Sequence, residues 1–182
     1  IEMKNEHDPG TVSVRKITAT DLMRLACSYT INAESSMALE NVYQCEHSPM
    51  RTQLFVVEMR GIPTFVSVHF VRHKHGVEHF VKSNREDRAS HTGDLGRWQP
   101  VSHMMLCNAQ ALVNMARKRL CRKASNETTE MMQAIVNAVR KTGDFALAER
   151  MAPECEYRRG CHEIKTCGLY DKNHPREASE TA

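Results

Sequence analysis

The densest polar run of the chain, Arg72-His73-Lys74-His75, is followed within a few residues by Glu78, His79, Lys82, Ser83, Arg85 and Arg88. Guanidinium groups offer fixed forks of N–H donors that match phosphate oxygens, Ser83 adds a hydroxyl, and histidines titrate near neutral pH or stack on a ligand. An anionic ligand is one reading of this run, and a solvated basic face is the other. A second group is Asn108, Gln110, Asn114 and Arg119. On a continuous helix Asn108 and Arg119 fall about 20° apart. Gln110 and Asn114 are one turn apart, which suits two amides to a planar heterocycle and equally to a polar patch in a core or interface. The basic run Arg117, Lys118, Arg119, Arg122, Lys123 adds a second phosphate-sized field at the end of this stretch. The third group is the tail CEYRRGCHEIKTCG. Its Cys155, Cys161, His162 and Cys167 would suit a structural zinc, although the spacing is wider than a CxxC knuckle; free thiols or one disulfide are the alternatives.

The elements that position these groups follow from periodicity. Thr11 to Ile17 alternates as a strand, Thr18-Ala19-Thr20-Asp21 opens a helix through Tyr29, and a further helical run spans about Ala33 to Tyr43. Thr52 to Met59 reads as a strand with a buried centre. Ile62 to Val71 is open between strand and a helix begun at Pro63. Ser90 to Pro100 is a short loop, and Met104 to Leu120 reads as a long helix. Ser125 or Asn126 with Glu127 starts the next helix, closed near Gly143, and a short helix from Phe145 to Met151 precedes the tail. These elements predict an α+β fold, a small antiparallel sheet flanked by helices, over residues 1–152, with a Cys-rich tail over 153–182.

Composition limits the function. A chain of 182 residues with 41% hydrophobic and 26% charged residues buries one core and is not disordered. Aromatics make up only 5%, so the 11 Met and 7 Cys must fill gaps in that core. A net charge of +3 argues against a general nucleic-acid binder. The longest uncharged stretch, Trp98 to Ala116, is interrupted by Gln99, His103, Asn108 and Gln110, so no membrane span is expected. The N-terminal IEMKNEHDPG has no apolar signal core, and a cytoplasmic setting is the expectation.

The ordered set Glu46-His47, strand, Arg72-His73-Lys74, Ser83-x-Arg85 and Asn108-x5-Asn114-x4-Arg119 resembles the flavin-dependent thymidylate synthases (thymidylate synthase complementing proteins). That family carries an Arg-His-Arg motif, a Ser-x-Arg, and a long helix bearing Asn, Asn and Arg. The resemblance covers roughly Thr11 to Val139. It implies that His47, Arg72, His73, Lys74, His75, Asn108, Gln110 and Asn114 hold FAD, and that His69, Arg72, Ser83, Asn84, Arg85 and Arg119 bind dUMP. Arg119 would be catalytic, favouring ionisation of the uracil ring nitrogen and so activating the neighbouring carbon. The implied reaction is reductive methylation of dUMP to dTMP, with methylenetetrahydrofolate as carbon donor and NADPH feeding the flavin. Family members are homotetramers with FAD and dUMP sites shared between subunits. The chain departs from the family pattern at Lys74, at Gln110 where an arginine is usual, in the gap before Ser83, in the shorter connection from Arg88 to Pro100, and in the tail. Flavin-dependent one-carbon modification of another pyrimidine deoxynucleotide, or transfer of a hydroxymethyl group, is the alternative within that fold, and a zinc-stabilised nucleic-acid-binding module is the alternative outside it.

Overall fold

The computed structural model describes residues 10–82 and 96–175. The elements run β1 (Thr11–Lys16), α1 (Thr20–Ile31), α2 (Leu39–Gln44), β2 (Leu54–Pro63), α3 (Thr64–Val71), β3 (Val77–Val81), β4 (Pro100–Asn108), α4 (Ala109–Arg119), α5 (Asn126–Lys141), α6 (Phe145–Arg150), α7 (Glu154–Tyr157) and α8 (Leu169–Asn173). The four strands form one antiparallel sheet in the order β1-β2-β4-β3, as the α+β reading expects.

Alternation in β2 turns Phe55, Val57 and Met59 inward, where Met105 and Cys107 of β4 meet them across the ladder. The stripe Met131, Met132, Ile135, Val136 and Val139 of α5 covers this inner face. Ser125 caps α5 by accepting the Thr128 N–H at 3.4 Å, and Arg140 and Lys141 stand at its negative end. Met23, Met50, Met59, Met105, Met115 and Met132 are all fully buried, so flexible thioethers take the volume that rings fill in other cores. Each such side chain contributes roughly 1.5–3 kcal/mol on leaving water. At the far edge Asp144, only 8% exposed, accepts from Lys16 Nζ at 2.7 Å and from the Tyr43 hydroxyl at 2.9 Å. Burial and this carboxylate push the Tyr43 phenol up. The contact fastens β1, α2 and the start of α6 together.

Two expectations change. The helix expected from Met104 to Leu120 is a strand through Asn108 and a helix only from Ala109. Met104 and Leu106 face outward while His103, Met105 and Cys107 face inward, so β4 is apolar on both faces and its period of two is masked. The helical run from Ala33 is confined to α2. Ile62 to Val71 divides at Pro63, which ends β2 and stands at the N-cap of α3, where its missing N–H costs nothing. The strand β3 was not expected, because polar and apolar residues are mixed along it. Residues 153–175 form α7 and α8 without burying a single residue. Among the described residues no helix is long and apolar enough to cross a membrane.

Candidate functional site

The end of α3, the turn at 72–76 and the end of α4 meet at one place. Arg119 Nε donates to His73 Nε2 at 2.9 Å, which fixes the remaining His73 proton on Nδ1. Burial, then the neighbouring Arg72, hold the Arg119 guanidinium below its ordinary range. His69 lies in the same field: burial lowers it first, followed by Arg119, Arg72 and Arg97, with Glu127 acting in the opposite sense. Its Nδ1 contacts Thr128 Oγ1 at 2.8 Å, which anchors it to α5. Arg119, Arg72 and Arg97 all act on the His69 imidazole, and cations gathered in this way form a site that an anion would relax. Arg97 belongs to the Gly96–Trp98 turn, where its guanidinium stacks 4.3 Å from the Phe65 ring.

A histidine chain holds the turn from behind. His79 Nε2 lies 2.6 Å from the His73 carbonyl oxygen, which only accepts, so Nε2 carries a proton. His79 Nδ1 and His103 Nε2 share one proton across a 3.0 Å contact. His103 Nδ1 in turn contacts Ser67 Oγ at 3.1 Å. Burial and the His79 charge push His103 down to about 4, and burial with Arg119 and His79 pushes His73 down to about 4. Both imidazoles are therefore neutral in the fold and bind protons more readily once it opens. Their contribution to stability is complete above pH 6.5 and is lost as pH falls towards 4. Urea unfolding followed from pH 7 to pH 4 is expected to show this as a fall of up to about 1.4 kcal/mol per pH unit for each imidazole, less for the partly exposed His73. A flat profile would refute the neutral chain.

Asn108 stands at the junction of β4 and α4. Its Oδ1 caps α4 by accepting the Ala111 N–H at 2.9 Å, and its backbone N–H reaches the Gly76 carbonyl at 2.9 Å. Gly76 has φ +73°, and a Cβ there would meet Asn108 Nδ2 at 2.5 Å. Gly76→Ala is thus expected to strain the turn and displace the cap, at a cost of about 2 kcal/mol read as a lowered urea midpoint.

The other expected residues are distributed as follows. Arg72, His73, His69 and Arg119 come together; Lys74 and His75 are exposed on the same turn, with Asn108 behind it. Gln110 and Asn114 lie on the next face of α4, where Gln110 Nε2 donates to Glu46 Oε2 at 2.7 Å and contacts Asn114 Oδ1 at 3.5 Å. Arg117 pairs with Glu46 and stacks on the Tyr157 ring at 3.6 Å. His47 joins α1 through a 3.2 Å contact with Thr30 Oγ1. Asn108 and Arg119 do not share a helix face, since Asn108 precedes the helix. Ser83, Asn84 and Arg85 lie outside the described residues. The zinc expectation for Cys155, Cys161, His162 and Cys167 is not met: among the described residues no three His, Cys, Asp or Glu are grouped to hold a metal ion. Arg97 was missed because it stands in a stretch without periodicity, and its neighbour Trp98 was its only local signal.

No family model matches the sequence, and none of the curated proteins matches it. Solved structures do match. Thymidylate synthase X from Helicobacter pylori, solved with FAD and dUMP, is 12% identical with a TM-score of 0.59, covering 78% of this chain and 99% of that one. A second structure, of the flavin-dependent thymidylate synthase of H. pylori with FAD and dUMP, gives a TM-score of 0.61 at 12% identity, over 76% of this chain and 98% of that one. The UMP/dUMP methylase PolB of Streptomyces cacaoi, bound with 5-Br dUMP, is 14% identical with a TM-score of 0.58, over 78% and 94% of the two chains. The chain has their fold. The likeness spans nearly the whole of each neighbour.

Proposed function

We propose that the chain is a flavin-dependent enzyme that reductively methylates a pyrimidine nucleotide, with dUMP to dTMP as its reaction. The observation that carries this is the half-buried Arg119, held by His73 and crowded by Arg72, on a fold whose neighbours were solved with FAD and dUMP. In this reading Arg72 and Arg97 neutralise phosphate, while His73 aims the Arg119 guanidinium at the uracil carbonyls. Developing negative charge on the ring is stabilised there by a cation already in place. His69, kept neutral, accepts or donates a hydrogen bond without adding to the positive crowd.

The donor set fits FAD, since the Arg72 and Arg97 guanidiniums suit its pyrophosphate and the Gln110 and Asn114 amides suit an isoalloxazine edge. His47, Lys74, His75 and Asn108 would complete its binding. When bound, FAD supplies the reducing equivalents, drawn from NADPH, and methylenetetrahydrofolate supplies the carbon. Residues of a second copy would close the site in a homotetramer. The exposed apolar side chains Phe80, Met104 and Leu106 on the outer face of the sheet support such an assembly. A cytoplasmic enzyme with domain 1–152 and tail 153–182 is the corresponding organisation.

The test is the visible spectrum of protein mixed with FAD and freed of excess, repeated with dUMP. A retained flavin band that dUMP perturbs is expected. Retained flavin that responds to UMP and not to dUMP would favour the changed acceptor, a reading supported by the likeness to the UMP/dUMP methylase. Failure to retain flavin would overturn the proposal, and salt-dependent DNA binding would then mark the nucleic-acid module.

A further inference from the structure

Four of the seven cysteines, Cys121, Cys155, Cys161 and Cys167, line one pocket between the end of α4 and the tail. Cys121 follows α4, so the fold and not the tail's own spacing adds it to the set. The tail is bent to make this wall. Arg159 takes the left-handed φ of 53°, and the Gly160 N–H returns to the Cys155 carbonyl at 2.9 Å, which turns the chain so that Cys155 and Cys161 line the same pocket. Because α7 and α8 bury no residue, the pocket stays accessible.

The thiols are unequal. Cys161 accepts hydrogen bonds from the backbone N–H groups of Glu163 and Cys167 and from the Thr166 hydroxyl, which favour its thiolate and lower it from the ordinary thiol range. Cys155 is raised by burial and by the Glu156 charge. Cys167 lines the same pocket as Cys161 and is itself exposed. Lys118, Arg122, Lys123 and Arg158 on the same wall outnumber Glu154 and Glu163, so the rim attracts an anion.

We propose that this pocket is a thiol–disulfide exchange site in which Cys161 attacks an anionic low-molecular-mass disulfide and Cys167 resolves the adduct. In the first step the Cys161 thiolate bonds to one sulfur of the disulfide, the old S–S bond breaks, and the departing thiolate takes a proton from solvent. In the second, the Cys167 thiolate bonds to the Cys161 sulfur and expels the remaining thiol. The protein gives up two electrons, and the small disulfide becomes two thiols. The site is independent of the methylation reading, since neither step uses Arg119 or a flavin.

The experiment treats the full chain with oxidised glutathione at pH 7 and maps adducts by mass spectrometry over time. Cys161 is expected to react about ten-fold faster than Cys45, an exposed thiol outside the pocket, and then to close to a Cys161–Cys167 disulfide. Cys167→Ser is expected to stop at the glutathione adduct, and Cys161→Ser to remove the fast phase with an unchanged circular dichroism spectrum. Wild-type mapping decides the matter by itself where a variant fails to fold. Cys161 reacting no faster than Cys45, or one equivalent of zinc whose removal is needed before any of the four thiols reacts, would overturn the proposal.

Discussion

Arg119→Ala is expected to lower dUMP turnover by about 10² to 10³-fold while leaving FAD bound. The alanine removes a half-buried cation whose Nε is already committed to His73. Loss of that charge falls on the transition state, where the pyrimidine ring carries its greatest negative charge, so kcat should drop more than KM rises. Arg119→Lys keeps a point charge but loses the Nε bond to His73, and a partial loss is expected. Tritium release from labelled dUMP reads the reaction directly, and the flavin spectrum reads binding in the same sample. Unchanged tritium release in Arg119→Ala would remove this residue from catalysis, whereas loss of the flavin band would make it a cofactor ligand.

The largest effect on stability is expected from Asp144→Ala, at about 3 kcal/mol. The substitution leaves the Lys16 ammonium without its 2.7 Å partner and the buried Tyr43 hydroxyl without its acceptor. Breaking one side of a buried pair costs more than the pair is worth, because the remaining charge keeps its desolvation penalty. Asp144→Asn keeps an acceptor for Tyr43 and should lose less. Urea unfolding at pH 7 measures both, and a shift below about 1 kcal/mol for the alanine variant would show that Lys16 and Tyr43 find other partners.

Local pattern was a good guide where one face of an element is apolar and the other polar. β1, α1 and α5 stand where their periodicity puts them, with the Ser125 cap included. The same pattern misled in β4, where Met104 and Leu106 on the outer face imitate the spacing of a helix that begins only at Ala109. Of the expected site, the link between the Arg72-His73 run and Arg119 came with the family resemblance, and the His73 and Arg119 side chains do meet. The set of ligands around it was less so: Arg97 arrives from a turn without periodicity, and the His79–His103–Ser67 chain joins three segments none of which signals the others.

The sequence by itself determined which segments are helical or extended where amphipathic, that one soft methionine-rich core exists, and that cationic groups suited to phosphate stand at two points in the chain. Those properties depend on neighbours within a turn or two, which sequence order fixes directly. Only the tertiary structure decided that Arg97 and Arg119 share His69, that Asn108 ends a strand against Gly76, and that Cys121 faces the tail thiols. Each of these joins residues separated by tens of positions, and such contacts are set by how whole faces pack, which no local period records.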